Sequence, residues 1–186
     1  MRPLLIGLAG KAEHGKSAVS RIIKEWTEQN GGVGNIVELS QFILHECWEN
    51  GTIPYGQPRD PLNKEQNAAL IAHGKLRRTE DPMYWTKLTV EKMLASGANI
   101  SVCPNLRFPQ EAQMLRDNGG VVIRVNRLNQ DGSPFVSTTR DPNDTTETAL
   151  DFWPSDFYIT NVTGHGKLLE ALTFALIEYI VDNQHD

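Results

Sequence analysis

The stretch "GLAGKAEHGKS" places Gly10, Gly15, Lys16 and Ser17 at the spacing G-x-x-x-x-G-K-[ST]. Glycines at these positions let successive backbone N–H groups turn inward around a β-phosphate with no Cβ in the way. A helix beginning near Gly15 would present its positive end to the same anion. The Lys16 ammonium reaches β- and γ-phosphates, and the Ser17 hydroxyl is a ligand for Mg²⁺. The spacing therefore predicts a nucleotide-holding segment made of Gly10, Lys11, Ala12, Glu13, His14, Gly15, Lys16, Ser17 and Ala18. A chance match in a glycine-bearing turn is the bland alternative. Position argues against it, because the motif falls between a short apolar run and a helical pattern.

Such a loop does not choose between kinase, ATPase and GTPase. Guanine-specific GTPases carry an N-K-x-D stretch, and none is present. Motors and switches generally need more chain. A small P-loop kinase using ATP and Mg²⁺ is what remains. It requires arginines for the transferred phosphoryl group, a polar group for metal or acceptor, and an acceptor pocket.

The elements that must position these groups follow from apolar spacing. "LLIGLAG" reads as a buried strand, apolar without alternation and stopped by glycine. Val19, Ile22, Ile23 and Trp26 recur at helical spacing from Gly15 to Gln29. "IVELS" predicts a second strand and "QFILHECWENG" a short helix. Residues 51–63 read as a proline-rich loop, followed by a helix from about Lys64 to Gly74. "KLRRTEDP" reads as a charged connection, and "DPMYWTKLTVEKMLASG" as a helix with Pro82 in its first turn. "ANISVCPNLRF", "VVIRVNR" and "DFYITN" predict three more strands, with "PQEAQMLRDNGG" a helix and "KLLEALTFALIEYIV" a closing amphipathic one. Residues 128–148 are polar and rich in turn residues, as expected of a lid-like loop. Strands alternating with helices predict an α/β three-layer sandwich, a five-stranded mostly parallel sheet with helices on both faces. The expectation is one P-loop kinase domain over 1–186.

Composition narrows the partners. The chain has 39% hydrophobic and 22% charged residues and a net charge of −5, which argues against a general nucleic-acid surface. Cys47 and Cys103 have no CxxC spacing, so buried thiols in a reducing cytoplasm are expected. No apolar run approaches a membrane span, and the opening residues do not form a signal peptide. The histidines at 14, 45, 73, 165 and 185 show no triad or metal spacing. A homodimer is compatible with all of this.

The stretch "ISVCPNLRFPQEAQMLRDNGGVVIRVNR", residues 100–127, resembles the bacteriophage deoxynucleoside monophosphate kinases, P-loop enzymes more distantly similar to thymidylate and adenylate kinases. The family pattern is an apolar strand, D-V-R-F-P-N-E-A, a helix, G-G, and a strand ending in arginine. "GLAGKAEHGKS", "LIAHGKLRRTEDPMYW" and "DFYITNVTGHGKL" resemble other segments of the same family. The resemblance implies transfer of the γ-phosphoryl group of ATP to a deoxynucleoside monophosphate. It also implies that the "TGHGK" turn lies beside adenine, and it suits a phage protein acting in the host cytoplasm. One position departs from the pattern: Asn105 stands where aspartate is usual. Asparagine orients a water or phosphate but takes no proton. Then Mg²⁺ is held with other groups, such as Glu111 or Asp81, or the substrate differs, or catalysis is weak.

Further candidates each have a bland alternative. Arg107 follows the third strand, where an arginine can clamp a phosphate bidentately; otherwise it pairs with Glu111 on the surface. Arg77 and Arg78 are either solvated or reach a phosphate, as the resemblance implies for at least one. Arg127 and Arg140, at the edge of and within the lid-like loop, either close on the phosphoryl group or sit on a mobile loop. Ser40, Gln41 and Phe42 follow the second strand, where the acceptor nucleoside would lie. Phe42 or Trp85 could stack on its base, although both have apolar neighbours and the core is the favoured place for Trp85. Two rival readings stay open. One is a phage kinase acting on 5-hydroxymethyluracil within DNA, which a basic groove beside the phosphate loop would support. The other is a non-catalytic nucleotide-binding regulator.

Overall fold

The computed structural model describes residues 2–183. In chain order the elements are β1 (Leu4–Ala9), α1 (Lys16–Gln29), β2 (Gly34–Ile36), α2 (Leu39–Glu49), α3 (Lys64–Glu80), α4 (Tyr84–Leu94), β3 (Ile100–Cys103), α5 (Pro109–Asp117), β4 (Val121–Leu128), α6 (Thr145–Thr148), β5 (Phe157–Val162) and α7 (Gly166–Asp182). The strands form one sheet in the order β2-β3-β1-β4-β5, and every neighbouring pair is parallel. Leu4 lies opposite Ile100 and Ile6 opposite Val121, so β1 is buried between β3 and β4.

Alternate side chains of β1 serve opposite faces of the sheet. Leu4, Ile6 and Leu8 join Val19 and Ile23 of α1 and Leu169, Ile177 and Ile180 of α7. Leu5 and Ala9 face the other way, among Val90 and Met93 of α4 and Ala112 and Leu115 of α5. A third cluster joins α2, α3 and α4 through Ile43, Leu44, Leu70 and Trp85. The chain leaves β3 on one side of β1 and returns as β4 on the other. That reversal opens a crevice at the carboxyl edge of the central strands, where ligands of open parallel sheets bind. Among the described residues no helix is long and apolar enough to cross a membrane, and both cysteines are free and buried.

Four local expectations are corrected. β2 stops at Ile36, and Val37 and Glu38 lead directly into α2. α3 does not end at Gly74 but runs to Glu80, so "KLRRTE" is helical. Gly74 is buried where helix meets helix: a Cβ there would come within 3.0 Å of Ile43. Its carbonyl accepts the Trp85 indole N–H at 3.0 Å, so the glycine is a packing position, not a stop. Asp81 ends α3 ahead of Pro82, as the residue before a proline disfavours helix. Pro82 therefore precedes α4, whose N-cap is Met83. Within 128–148, α6 folds under an N-cap in which the Asp144 carboxylate accepts the Thr146 N–H at 2.8 Å.

Candidate active site

The phosphate loop joins β1 to α1 as its spacing requires. Gly10 and Gly15 take φ of 137° and 102°, and Glu13 also lies in the left-handed region. At Gly10 the constraint is steric as well, since a Cβ would sit 2.4 Å from the Val125 carbonyl oxygen. Lys16 begins α1 and donates from Nζ to the Gly10 and Lys11 carbonyls, each at 2.7 Å. Burial lowers its pKa to about 7, and the nearby charge of Arg107 and Arg140 adds to that against the opposing pull of Glu147.

Facing the loop is a cavity of about 500 Å³ lined by Gly15, Lys16, Ser17, Asn105, Arg107, Arg127 and Arg140 together with Ala12, Glu13, Glu38 and Pro104. The ends of β3 and β4 and the 128–148 tract thus bring three arginines to the cavity that Lys16 lines. Arg107 donates to the Glu147 carboxylate at 2.8 Å. Its backbone N–H donates to Glu111 at 2.7 Å, and Phe108 N–H donates to the same oxygen at 3.2 Å. Glu111 is buried, which raises its pKa against those hydrogen bonds and Arg78, whose Nη2 lies 3.7 Å away. It anchors the turn that carries Arg107. Arg127 donates to the Glu13 carbonyl at 2.9 Å and to Thr163 at 3.1 Å, with its guanidinium 4.1 Å from the Phe135 ring centre. Arg140 is half exposed.

A second cavity of about 470 Å³ shares Arg140 with the first. Ile43, Leu70, Ile71, Gly74 and Phe108 give it an apolar wall, and Arg59, Lys75 and Arg78 add positive charge. Arg78 stacks 5.6 Å from the Phe108 ring centre.

Other expected site residues lie elsewhere. Trp85 is 1% exposed in the core and offers no face to a base. Phe42 is packed between two core clusters, Gln41 is exposed, and neither lines a cavity beside the loop. Ser40 donates to Glu38 at 3.4 Å and does not itself line the first cavity. Arg77 turns away and meets Glu46 at 2.9 Å and Glu80 at 3.2 Å. Glu46 also accepts from the Tyr84 hydroxyl and lies 2.7 Å from His73, and these bonds with Arg77 hold its pKa below the ordinary range despite partial burial. Asp81 pairs with Lys87 at 2.6 Å. Asp81 and Glu111 are both absent from the lining of the first cavity. His14 is buried, which lowers its pKa; its Nδ1 is 3.3 Å from the Val125 carbonyl, and its Nε2 has no partner among the described residues. His185 lies outside the described residues.

Two residues not anticipated from the sequence are Glu38, on the cavity wall, and Glu147, which holds Ala12 and Arg107 of that wall from behind it. Glu38, the N-cap of α2, lines the same cavity as Lys16. Its place at the carboxyl edge after β2 was a readable signal. Glu147, in a polar tract without periodicity, carried no local signal. Asn105 lines the cavity and accepts from the first amide of α2, Leu39 N–H, at 3.5 Å.

Among the described residues no three or more His, Cys, Asp or Glu gather as a metal set. The Ser17 hydroxyl and the Glu38 carboxylate are oxygen donors on the cavity wall.

No protein-family model and no curated protein matches the sequence. Solved structures do. A protein of Chloroflexus aurantiacus whose kinase assignment is provisional shares 13% identity over 98% of each chain, with a TM-score of 0.50. The APS kinase of Mycobacterium tuberculosis with AMPPNP and APS aligns at 12% identity over 96% of this chain and 98% of its own, with a TM-score of 0.49. The shikimate kinase of Aquifex aeolicus aligns at 11% identity over 97% and 99%, with a TM-score of 0.48. The likeness is one of architecture, and the resemblance to deoxynucleoside monophosphate kinases rests on the sequence motifs. The chain has the α/β fold of the P-loop kinases, a five-stranded parallel sheet covered by helices.

Proposed function

We propose that the chain is a single-domain ATP-dependent kinase that phosphorylates a deoxynucleoside monophosphate. The observation that carries this reading is the pairing of two cavities across Arg140. One is bounded by the phosphate loop, Lys16, Arg107 and Arg127, and the other joins an apolar wall to Arg59, Lys75 and Arg78. The first suits a triphosphate and the second a base-bearing anion.

The residues then have separate tasks. Loop amides and Lys16 hold the β- and γ-phosphates, and Arg107, Arg127 and Arg140 neutralise the transferring oxygens. Phe108 and its apolar neighbours hold the acceptor's base or sugar while Arg78 and Lys75 orient its phosphate. An acceptor phosphate oxygen bonds to the γ-phosphorus as the bond to the bridging oxygen breaks, leaving ADP and a deoxynucleoside diphosphate. Ser17 and Glu38 would hold Mg²⁺, which supplies charge neutralisation between the phosphates. Asn105 orients α2 and a polar ligand atom without taking a proton.

The four cations of the second cavity also suit a nucleic-acid backbone, and Arg59 and Lys75 are exposed. This keeps a DNA-embedded hydroxymethyluracil acceptor as a second reading, against the overall acidity. The test offers γ-labelled ATP and Mg²⁺ with the four deoxynucleoside monophosphates, 5-hydroxymethyl-dUMP, and duplex DNA containing hydroxymethyluracil. Label on a free monophosphate, lost in Lys16→Ala, is the expected result. Label in DNA alone selects the second reading, and tight ATP binding without transfer selects a regulator.

A further inference from the structure

Lid helix α6 sends a carboxylate into the phosphate loop. The Glu147 side chain is 2% exposed. One of its oxygens accepts the Ala12 N–H of the loop. The other accepts from Arg107 at 2.8 Å and lies 4.0 Å from Arg140 Nε. A loop amide and two arginines are the donors that the reading above assigns to a nucleotide's phosphates.

The Ala12 amide has one proton to give. A carboxylate and a phosphate oxygen cannot both take it at full strength, and two anions on one guanidinium repel strongly in a poorly solvated site. We infer that Glu147 is a displaceable internal anion, resting on the nucleotide reading: it occupies part of the phosphate subsite, and an incoming nucleotide must evict it. Eviction moves more than one side chain. α6 has four residues, and its outward anchor is the exposed Asp144 cap. Thr145 and Thr146 of the same helix line the second cavity, and the Thr146 carbonyl accepts from Arg107 at 3.4 Å. Displacing Glu147 therefore frees Arg107 and Arg140 for phosphate and reshapes the acceptor cavity in one movement. Donor binding before acceptor binding follows.

The cost of eviction is carried by the wild-type dissociation constant. A hydrogen bond to a charged group contributes about 1.5–3 kcal/mol, so its removal should tighten binding by about tenfold or more. Wild type, Glu147→Gln and Asp144→Ala are titrated with AMPPNP in Mg²⁺ by calorimetry, with thermal unfolding recorded without nucleotide. Glu147→Gln keeps the shape and removes the charge, and should bind about tenfold tighter or more. Asp144→Ala loosens α6 without touching the buried carboxylate, and should tighten binding by about fivefold, the typical worth of an N-cap. If Glu147→Gln does not fold, Asp144→Ala decides alone. Wild-type binding with no tightening in a folded variant overturns the inference by itself, as does lost turnover at unchanged affinity, which would assign Glu147 to the chemistry. A wild type that does not bind AMPPNP overturns the nucleotide reading and this inference with it.

Discussion

Lys16 should take up a proton when nucleotide binds. Burial and the positive charge of Arg107 and Arg140 place its pKa at about 7, from an ordinary 10.5. At pH 8 roughly one molecule in eleven then carries the charge. Polyphosphate beside the ammonium reverses the balance, since an opposite charge within a few Å raises such a pKa by about 1–3 units. Binding at pH 8 should therefore draw in about 0.8 proton per site, and affinity should fall about tenfold per pH unit above 7 until the bound pKa is reached. Calorimetry with AMPPNP in buffers of different ionisation enthalpy reads the uptake directly. Lys16→Arg is the control, because its guanidinium stays charged at this pH and only the ligand's own titration remains. Equal uptake in wild type and Lys16→Arg would refute the reasoning and put a charged lysine in the free protein. The same depression acts on folding. The unfolded chain holds the Lys16 proton between pH 7 and 10.5 while the folded chain does not, so this residue's contribution to stability rises with pH across that window.

The arginines should separate cleanly in steady-state phosphoryl transfer. Arg107→Ala should lower kcat/KM by about a hundredfold or more, whereas Arg77→Ala, whose partners are Glu46 and Glu80, should stay within about twofold. Glu111→Ala should lower unfolding free energy by about 1–3 kcal/mol in urea denaturation, because the Arg107 and Phe108 amides lose their shared acceptor. A change below about 0.5 kcal/mol would show that Glu111 does not anchor the Arg107 turn.

The loop between β1 and α1 was legible because its backbone requirements are local. An amide cradle needs glycine at set positions, and seven consecutive steps of chain supply nearly all of it. The sheet was legible because buried parallel strands are short apolar runs closed by glycine or proline. What stayed hidden depended on tertiary contact. Gly74 reads as a helix stop until Ile43 is seen against it, and with that error Arg77 and Arg78 lose their helical phase. On α3 they face different neighbours, one Glu46 and the other the second cavity. Trp85 was already better suited to the core than to a base, and its packing and its bond to Gly74 put it there. Glu147 meets Ala12 across 135 positions of sequence, from a tract with no period to betray an inward side.

The loop and β4 touch in a way that links their histories. Gly10 closes on the Val125 carbonyl, His14 lies against that carbonyl and the Arg127 amide, and Arg127 reaches back to Glu13. Residues 125–127 are thus the mould against which the loop is cast. A substitution that shifts the backbone there should be tolerated only with a matching change between positions 10 and 14, so a mutational library spanning both segments should yield survivors in pairs. Transplanting the loop motif alone onto another strand would carry the letters of the site without its seat.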